Sequence, residues 1–215
     1  MSNALFVTLV AVALALAMAC GGTPVTTDEL DALDALDHGV DLRRQGLMKR
    51  AYDELTEAIR LDPNLAEAYA ERGFLYHLLG DEGFALEDLG RAIKLDPQLA
   101  IVYNYRGLVF VERKDIDNAL IDFTRAIQLD PNLREPYVNR AGVYLTTGEL
   151  GLSANDLTTA ISLTPKTPEL YLLRARVYLQ SEDPTKAVPD LEQVLSLTDD
   201  EAMILAAKQF LSLLR

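Results

Sequence analysis

The sequence has very few cysteine and histidine residues, which disulfide bonds and most zinc sites require. Its 215 residues include one cysteine, Cys20, and two histidines, His38 and His77. A single cysteine cannot form an internal disulfide, and two isolated histidines lack the spacing that holds a zinc ion. The sequence also contains no Gly-x-Gly-x-x-Gly motif, no phosphate-binding loop and no serine in a nucleophile elbow. We therefore expect no catalytic residues, no metal, no cofactor and no small-molecule substrate.

Positive charge is scarce as well. The chain has 20 Lys and Arg residues against 33 Asp and Glu residues, which gives a net charge of −13. A chain with this charge repels phosphate groups, and so the composition argues against nucleic-acid binding. No stretch shows the alternation of apolar and polar residues that is typical of a strand. We therefore expect an all-α protein.

What the sequence does contain is a pattern that recurs every 34 residues. The recurring residues are of one type at each position: Pro63, Pro97, Pro131 and Pro165; Tyr69, Tyr103, Tyr137 and Tyr171; Ala58, Ala92, Ala126 and Ala160. A fixed period of this size predicts a stacked array of like units rather than one globular core. Each unit reads as two helices, because its apolar residues follow helical spacing on either side of a turn.

The order of an aromatic residue, Gly, a second aromatic residue, Ala, a bulky apolar residue, Ala and Pro resembles the tetratricopeptide repeat. This resemblance implies a right-handed superhelical solenoid of antiparallel helix pairs. Five units fit, followed by a capping helix at 202–215: 32–65, 66–99, 100–133, 134–167 and 168–201. The first unit departs from the pattern, since Ala35 and Leu42 replace its aromatic residues. In the fifth unit Pro189 falls inside the second helix, where we expect it to kink the chain.

An arginine on the first helix of a unit is followed 16 residues later by an aspartate on the second helix. The pairs are Arg72 with Asp88, Arg106 with Asp122, Arg140 with Asp156, and Arg174 with Asp190. In the first unit His38 and Glu54 stand at the two positions. Each side chain shares a helix face with apolar residues, and a partly buried charge needs a partner. We therefore predict a ladder of structural ion pairs. A catalytic role is not expected, because an active site would not occur in four equal copies.

The other face of each first helix is the candidate binding surface. If the recurring residues pack inward, this face lines the concave side of the solenoid. Some of its apolar residues must pack between units, and the rest form a strip that predicts a protein partner. The candidate groove residues are Phe74, His77, Tyr105, Leu108, Asn139, Leu172 and Arg176. Tetratricopeptide domains that clamp a terminal carboxylate use Lys, Arg and Asn together, and this face has no Lys.

The first 19 residues form an apolar leader. No charged side chain precedes Asp28, and Ala4–Ala19 consists largely of Ala, Leu and Val. The run Ala17-Met18-Ala19-Cys20, followed by two glycines, resembles the lipobox of bacterial lipoproteins. That resemblance implies a lipid attached to Cys20. Residues 23–27 are turn-like, and we expect residues 20–31 to form a flexible acidic tether, although acids such as Asp28 and Glu29 also suit the start of a helix.

Two other interpretations of the leader stay open. The same residues satisfy the Ala-x-Ala rule for ordinary signal cleavage, which would release a soluble secreted protein, and an uncleaved leader would be a short membrane anchor. All three interpretations place the repeats outside the cytoplasm or at a membrane. We expect a lipid-anchored protein of the bacterial cell envelope.

Taken together, these patterns predict a non-enzymatic adaptor that binds a protein segment in the groove of a helical array. A regulatory or substrate-binding subunit of an envelope enzyme, whose catalytic chain is separate, is the alternative. A hydrolase would require a cluster of polar catalytic residues that the sequence does not show.

Overall fold

The computed structural model describes residues 26–181 and 183–214. Within these residues there are eleven α-helices and no strand. The helices are α1 (Thr27–Arg44), α2 (Met48–Leu61), α3 (Ala66–Leu78), α4 (Glu82–Leu95), α5 (Ala100–Glu112), α6 (Ile116–Leu129), α7 (Arg134–Thr147), α8 (Leu150–Leu163), α9 (Pro168–Leu179), α10 (Ala187–Leu197) and α11 (Glu201–Leu213), with a 3₁₀ turn at Pro184–Lys186.

Helices pack in consecutive pairs. The first helices α1, α3, α5, α7 and α9 each pack most extensively against the second helix that follows them. Each second helix also contacts the first helix of the next pair, so that the pairs stack in chain order. Because the helices contact mainly partners one or two places along the chain, the described residues form no single central core. The predicted all-α solenoid of antiparallel helix pairs is confirmed.

The two helices of a pair approach most closely where the first helix has a glycine. In the third pair a Cβ atom on Gly107 would lie 2.6 Å from the ring of Phe123, which is fully buried. No side chain fits in that space, and so a large ring on α6 requires glycine on α5. The fourth pair differs, with Ala141 at the position of the glycine and Leu157 opposite it.

The turns between the helices of a pair require a left-handed backbone. Gly46, Gly80 and Gly148 have φ angles of 77°, 82° and 88°, and they stand 34 residues apart or a multiple of it. Glycine adopts this conformation without a steric penalty. The third pair has Lys114 at the same position, with φ of 60°.

The N-terminal end of the array differs from the predicted tether. Residues 27–31, which we expected to be flexible, belong to α1. The Thr26 side chain accepts a hydrogen bond from the Glu29 backbone, and Glu29 accepts one from the Thr26 backbone, at 3.2 and 2.7 Å. This capping box begins the helix, and the acidic residues of the first turn favour the positive end of its dipole. Residues 20–25 lie outside the described residues, as does the predicted leader at 1–19.

At the C-terminal end α11 occupies the place of a further first helix. It packs against α10, while Lys208, Gln209 and Ser212 are exposed. These three polar residues stand 34 residues after Arg174, Ala175 and Tyr178, which face the second helix of their own pair. Polar side chains at these positions suit a helix whose outer face meets water.

The predicted kink at Pro189 is absent, because α10 begins at Ala187 and places the proline in its first turn. The backbone N–H groups of a first turn have no partner within the helix, and a residue that lacks one is tolerated there. The adjustment falls earlier in the chain: the residues before α10 form a 3₁₀ turn at Pro184–Lys186, whereas the other second helices are α-helical at the equivalent positions.

Candidate partner-binding groove

First helices line the inner side of the curved array. Neighbouring first helices contact each other in the pairs α1–α3, α3–α5 and α5–α7. Among the described residues, no two neighbouring second helices make comparable contact. The first-helix layer is therefore the more compact one, and its outward-facing residues line the concave side.

Four positions on each first helix face this side, at relative spacings of 0, 4, 7 and 11 residues, which fall on one helix face. We call their 20 residues the groove stripe: Leu33, Asp37, Val40 and Arg44; Glu67, Glu71, Phe74 and Leu78; Ile101, Tyr105, Leu108 and Glu112; Glu135, Asn139, Gly142 and Thr146; Glu169, Leu173, Arg176 and Gln180.

An aromatic and charged cluster joins the first three units within the groove. The Phe74 and Tyr105 rings stack with their centres 4.1 Å apart, at an angle of 8°. The Arg43 guanidinium lies 4.9 Å from the centre of the Phe74 ring and forms an ion pair of 2.9 Å with Glu71. The second carboxylate oxygen of Glu71 accepts a 2.8 Å hydrogen bond from the Tyr105 hydroxyl. The cluster therefore holds neighbouring first helices in a fixed relation.

This cluster changes the roles of two predicted groove residues. Tyr105 is only 9% exposed, and so most of its ring belongs to the packing between units. Burial, followed by the nearby Glu71 carboxylate, raises the pKa of Tyr105 far above its ordinary value. Its hydroxyl therefore remains a hydrogen-bond donor. Phe74 is partly buried, and both the Tyr105 ring and the Arg43 guanidinium lie against its ring.

His77 lies beside the cluster, with its ring 5.9 Å from that of Phe74. Burial lowers the pKa of His77, while the acidic side chains of Glu112 and Glu82 act in the opposite direction. Because the net effect is a lowered pKa, the ring is neutral at pH 7. Leu78 follows it and is 46% exposed, which makes it the most exposed large apolar residue of the groove stripe.

The remaining predicted groove residues lie farther along the array. Leu108 is partly buried against Phe123 and Val143. Asn139 donates a 2.8 Å hydrogen bond to Asn104, a buried residue of the preceding unit. Leu172 packs partly into the core of the last unit, and Arg176 is exposed.

Shallow clefts border the second half of the groove. One, of about 380 Å³, lies between α7 and α9 and is lined by Glu135, Val138, Asn139 and Glu169 among others. Another, of about 510 Å³, is bordered by Arg176, Leu179 and the end of α11. Apolar walls with a few polar groups are what side chains of a bound segment require.

Away from the groove, the ladder positions form two-bond ion pairs. The Arg106 guanidinium donates to both carboxylate oxygens of Asp122, at 2.7 and 2.8 Å. The hydrogen bond to Asp122 raises the pKa of Arg106, although burial opposes it. The same geometry, with both bonds between 2.6 and 3.0 Å, recurs in the other three pairs: Arg72 with Asp88, Arg140 with Asp156, and Arg174 with Asp190. His38 and Glu54 lie 3.8 Å apart at the exposed first pair.

Sequence reasoning missed a third member of the ladder. The third guanidinium nitrogen of Arg140, Nη1, donates a 2.9 Å hydrogen bond to the hydroxyl of Thr124, on the second helix of the preceding unit. Thr158 accepts the same bond from Arg174, and Thr56 accepts it from Arg72. These threonines recur at multiples of 34 residues, which is the signal that would have revealed them. The ladder thereby links successive units as well as the helices of each pair.

Neither a metal site nor a membrane span occurs in the part of the chain that the structure describes. No group of three or more His, Cys, Asp and Glu side chains in residues 26–181 and 183–214 is placed to hold a metal ion. Over those ranges, no helix is long and apolar enough to cross a bilayer.

Known families and structures resemble this chain over most of its length. The family model for the ETO1 C-terminal domain matches residues 8–182, and the model for the tetratricopeptide repeat matches residues 168–201. No curated protein matches the sequence.

Solved structures show the same fold at low sequence identity. PilF of Pseudomonas aeruginosa has a TM-score of 0.77 at 18% identity, over 88% of this chain and 86% of that one. TTC0263, a tetratricopeptide protein of Thermus thermophilus, has a TM-score of 0.70 at 22% identity, over 84% of this chain and 98% of that one. YrrB, described as a tetratricopeptide protein with an unusual peptide-binding site, has a TM-score of 0.60 at 21% identity, over 83% and 92% of the two chains. The repeats of this chain are tetratricopeptide repeats, and because the first family model spans most of the sequence, the protein belongs to the family of the ETO1 C-terminal domain.

Proposed function

We propose that this protein is a non-enzymatic adaptor whose groove stripe binds a segment of another protein. The observation that carries the proposal is the partly exposed apolar strip on the concave side, which reaches its greatest exposure at Leu78. Exposed apolar surface inside a concave groove, rimmed by charged residues, is typical of a protein-interaction site. YrrB, which shares the fold, has a peptide-binding site by its description, and this likeness supports the proposal.

The aromatic cluster contributes rigidity rather than direct contact. Arg43, Glu71 and Tyr105 come from α1, α3 and α5, and their contacts fix the spacing of these three first helices before any partner arrives. A groove that is already ordered loses less conformational entropy on binding than a mobile one. Tyr105→Ala should therefore act mainly on the stability of the array, because it leaves a cavity between units.

Adjacent leucines provide the test. Leu78 lies on the groove stripe, whereas Leu79, the next residue, has a similar exposure of 50% and lies off the stripe. Covering the exposed half of a leucine is worth about 1 kcal/mol. We expect Leu78→Ser to weaken partner binding about fivefold. Leu79→Ser should leave binding unchanged, and both variants should keep the parent's melting temperature.

Affinity capture from detergent-solubilised membranes, with mass spectrometry, supplies the partner for this measurement. Equal binding by both variants and the parent would contradict a partner site in the groove. Partner loss that is the same for Leu78→Ser and Leu79→Ser would place the site at the turn between α3 and α4.

We further propose that the array is held at a membrane of the bacterial cell envelope through a lipid on Cys20. The support is the run Ala17-Met18-Ala19-Cys20, which lies outside the described residues. Two acyl chains, at about 0.8 kcal/mol per buried methylene, would anchor the protein firmly. Cys20→Ala should release the protein from membranes and remove the acyl mass. Identical fractionation of parent and mutant, without acyl mass in either, would refute lipidation.

A further inference from the structure

The first helices have almost no free positive charge. They contain no lysine and eight arginines. Seven of the eight are held by an acidic side chain within 3.4 Å: Arg43, Arg44, Arg72, Arg106, Arg134, Arg140 and Arg174. Arg176 is the exception among the described residues of these helices. Almost every cation on this layer is therefore neutralised within the protein.

Acidic residues of the groove stripe are in the opposite situation. Asp37, Glu67, Glu112 and Glu169 are exposed and have no ion pair among the described residues. Glu67 and Glu169 occupy one end of the stripe on their helices, and Glu112 occupies the other end. Glu112 also lies near enough to His77 to act on the pKa of that ring. Free carboxylates thus flank the apolar strip on both sides.

We propose that the occupant of the groove is a cationic amphipathic segment, rich in Lys or Arg with interspersed large apolar residues. This inference rests on the proposed function and specifies its partner. The apolar side chains of the segment pack against Leu78 and Leu108, and its cationic side chains lie beside Glu67 and Glu112. An acidic segment is excluded by repulsion, because opposite charges across an interface select partners and like charges reject them.

Charge position within the groove, rather than total charge, is what the inference requires. The chain has a net charge of −13, and a cationic peptide is attracted to any acidic protein. Glu87 on α4 and Glu192 on α10 are exposed acids of the outer layer and supply the matched control. The groove variant has Glu67→Lys and Glu112→Lys, and the control variant has Glu87→Lys and Glu192→Lys. Both double variants change the net charge by the same amount.

The test pans a random dodecapeptide phage library on the immobilised full chain in detergent. Enriched peptides are then synthesised, and their affinity for the parent and both double variants is measured by fluorescence anisotropy. We expect peptides with an excess of Lys and Arg, an affinity that falls as salt is raised, and a loss of about tenfold or more in the groove variant alone. Circular dichroism checks that each variant retains the parent's helicity.

Other outcomes would contradict the cationic partner without contradicting the groove function. Enriched peptides that are neutral or acidic, and that Leu78→Ser weakens, overturn the cationic partner and leave the groove function standing. Equal losses in the two double variants also overturn it, because general attraction then explains the binding. If no peptide is enriched above the blocked surface, both the groove function and its cationic partner fail.

Discussion

The threonine series of the ion-pair ladder has a gap at Gly90. A threonine placed there allows the stability contributed by one threonine–arginine hydrogen bond to be measured. Gly90 stands 34 residues after Thr56 and 34 before Thr124, at the position from which a threonine bonds to the arginine of the next unit. Its arginine is Arg106, whose side chain is 28% exposed, against 16–17% for the other three. Gly90→Thr should restore the missing hydrogen bond.

The structure sets the size of the expected effect. A Cβ atom at Gly90 meets no heavy atom within 4 Å, and so a side chain fits without strain. Replacing glycine inside a helix with a β-branched residue gains about 0.3 kcal/mol from propensity alone. A hydrogen bond to a charged group contributes ~1.5–3 kcal/mol when buried, and the exposure of Arg106 reduces this to ~1 kcal/mol.

Valine is the matched control, because it has the branched shape of threonine without the hydroxyl. Urea denaturation followed by circular dichroism should show Gly90→Thr to be more stable than Gly90→Val by ~1 kcal/mol, with an unchanged m-value. In an Arg106→Met background the two variants should be equally stable. Equal stability in the parent background would show that the threonine hydroxyls add nothing to the ladder.

Two further predictions concern the same units. A double-mutant cycle with Arg106→Met and Asp122→Asn, measured by urea denaturation, should give a coupling free energy on the order of 1 kcal/mol. The reason is that the two side chains share two hydrogen bonds and Asp122 is buried. Strictly additive losses of stability would mean that the pair does not contribute as a unit. Lys114→Gly should stabilise the array by about 0.5–1 kcal/mol, since the left-handed backbone strains a side chain there, whereas Lys114→Ala, which keeps the strain, should not.

Features that recur with the 34-residue period were accessible from the sequence. The helix pairs, the turn at Gly80 and the proximity implied by the 16-residue spacing of Arg106 and Asp122 all depend on positions that each unit repeats. Four copies of one relation reduce the chance that it is accidental. The period therefore predicts contacts that every unit makes in the same way.

Contacts that occur once were not accessible from the period. The groove cluster requires Arg43 from the first unit, Glu71 and Phe74 from the second and Tyr105 from the third. At the position of Glu71 and Tyr105, the fourth unit has Asn139 and the fifth has Leu173. The sequence shows that these residues share the concave face, but the stacking of one ring on another depends on the distance between units. Tyr105 was consequently predicted as a partner contact, although it is mostly buried.

The departures from the repeat are therefore where partner specificity has to be sought. Positions that face the second helix are nearly alike in the second to fifth units, because each must pack against the same neighbour. Positions of the groove stripe are less uniform, and at one of them the five units have Leu33, Glu67, Ile101, Glu135 and Glu169. Where a groove-stripe position is exposed, as at Glu67, Glu112 and Glu169, no contact within the array fixes its residue type, and that residue is available to the proposed partner. Among the described residues of this layer, the unpaired carboxylates and Arg176 are the charges that would attract or repel a charged partner as it approaches.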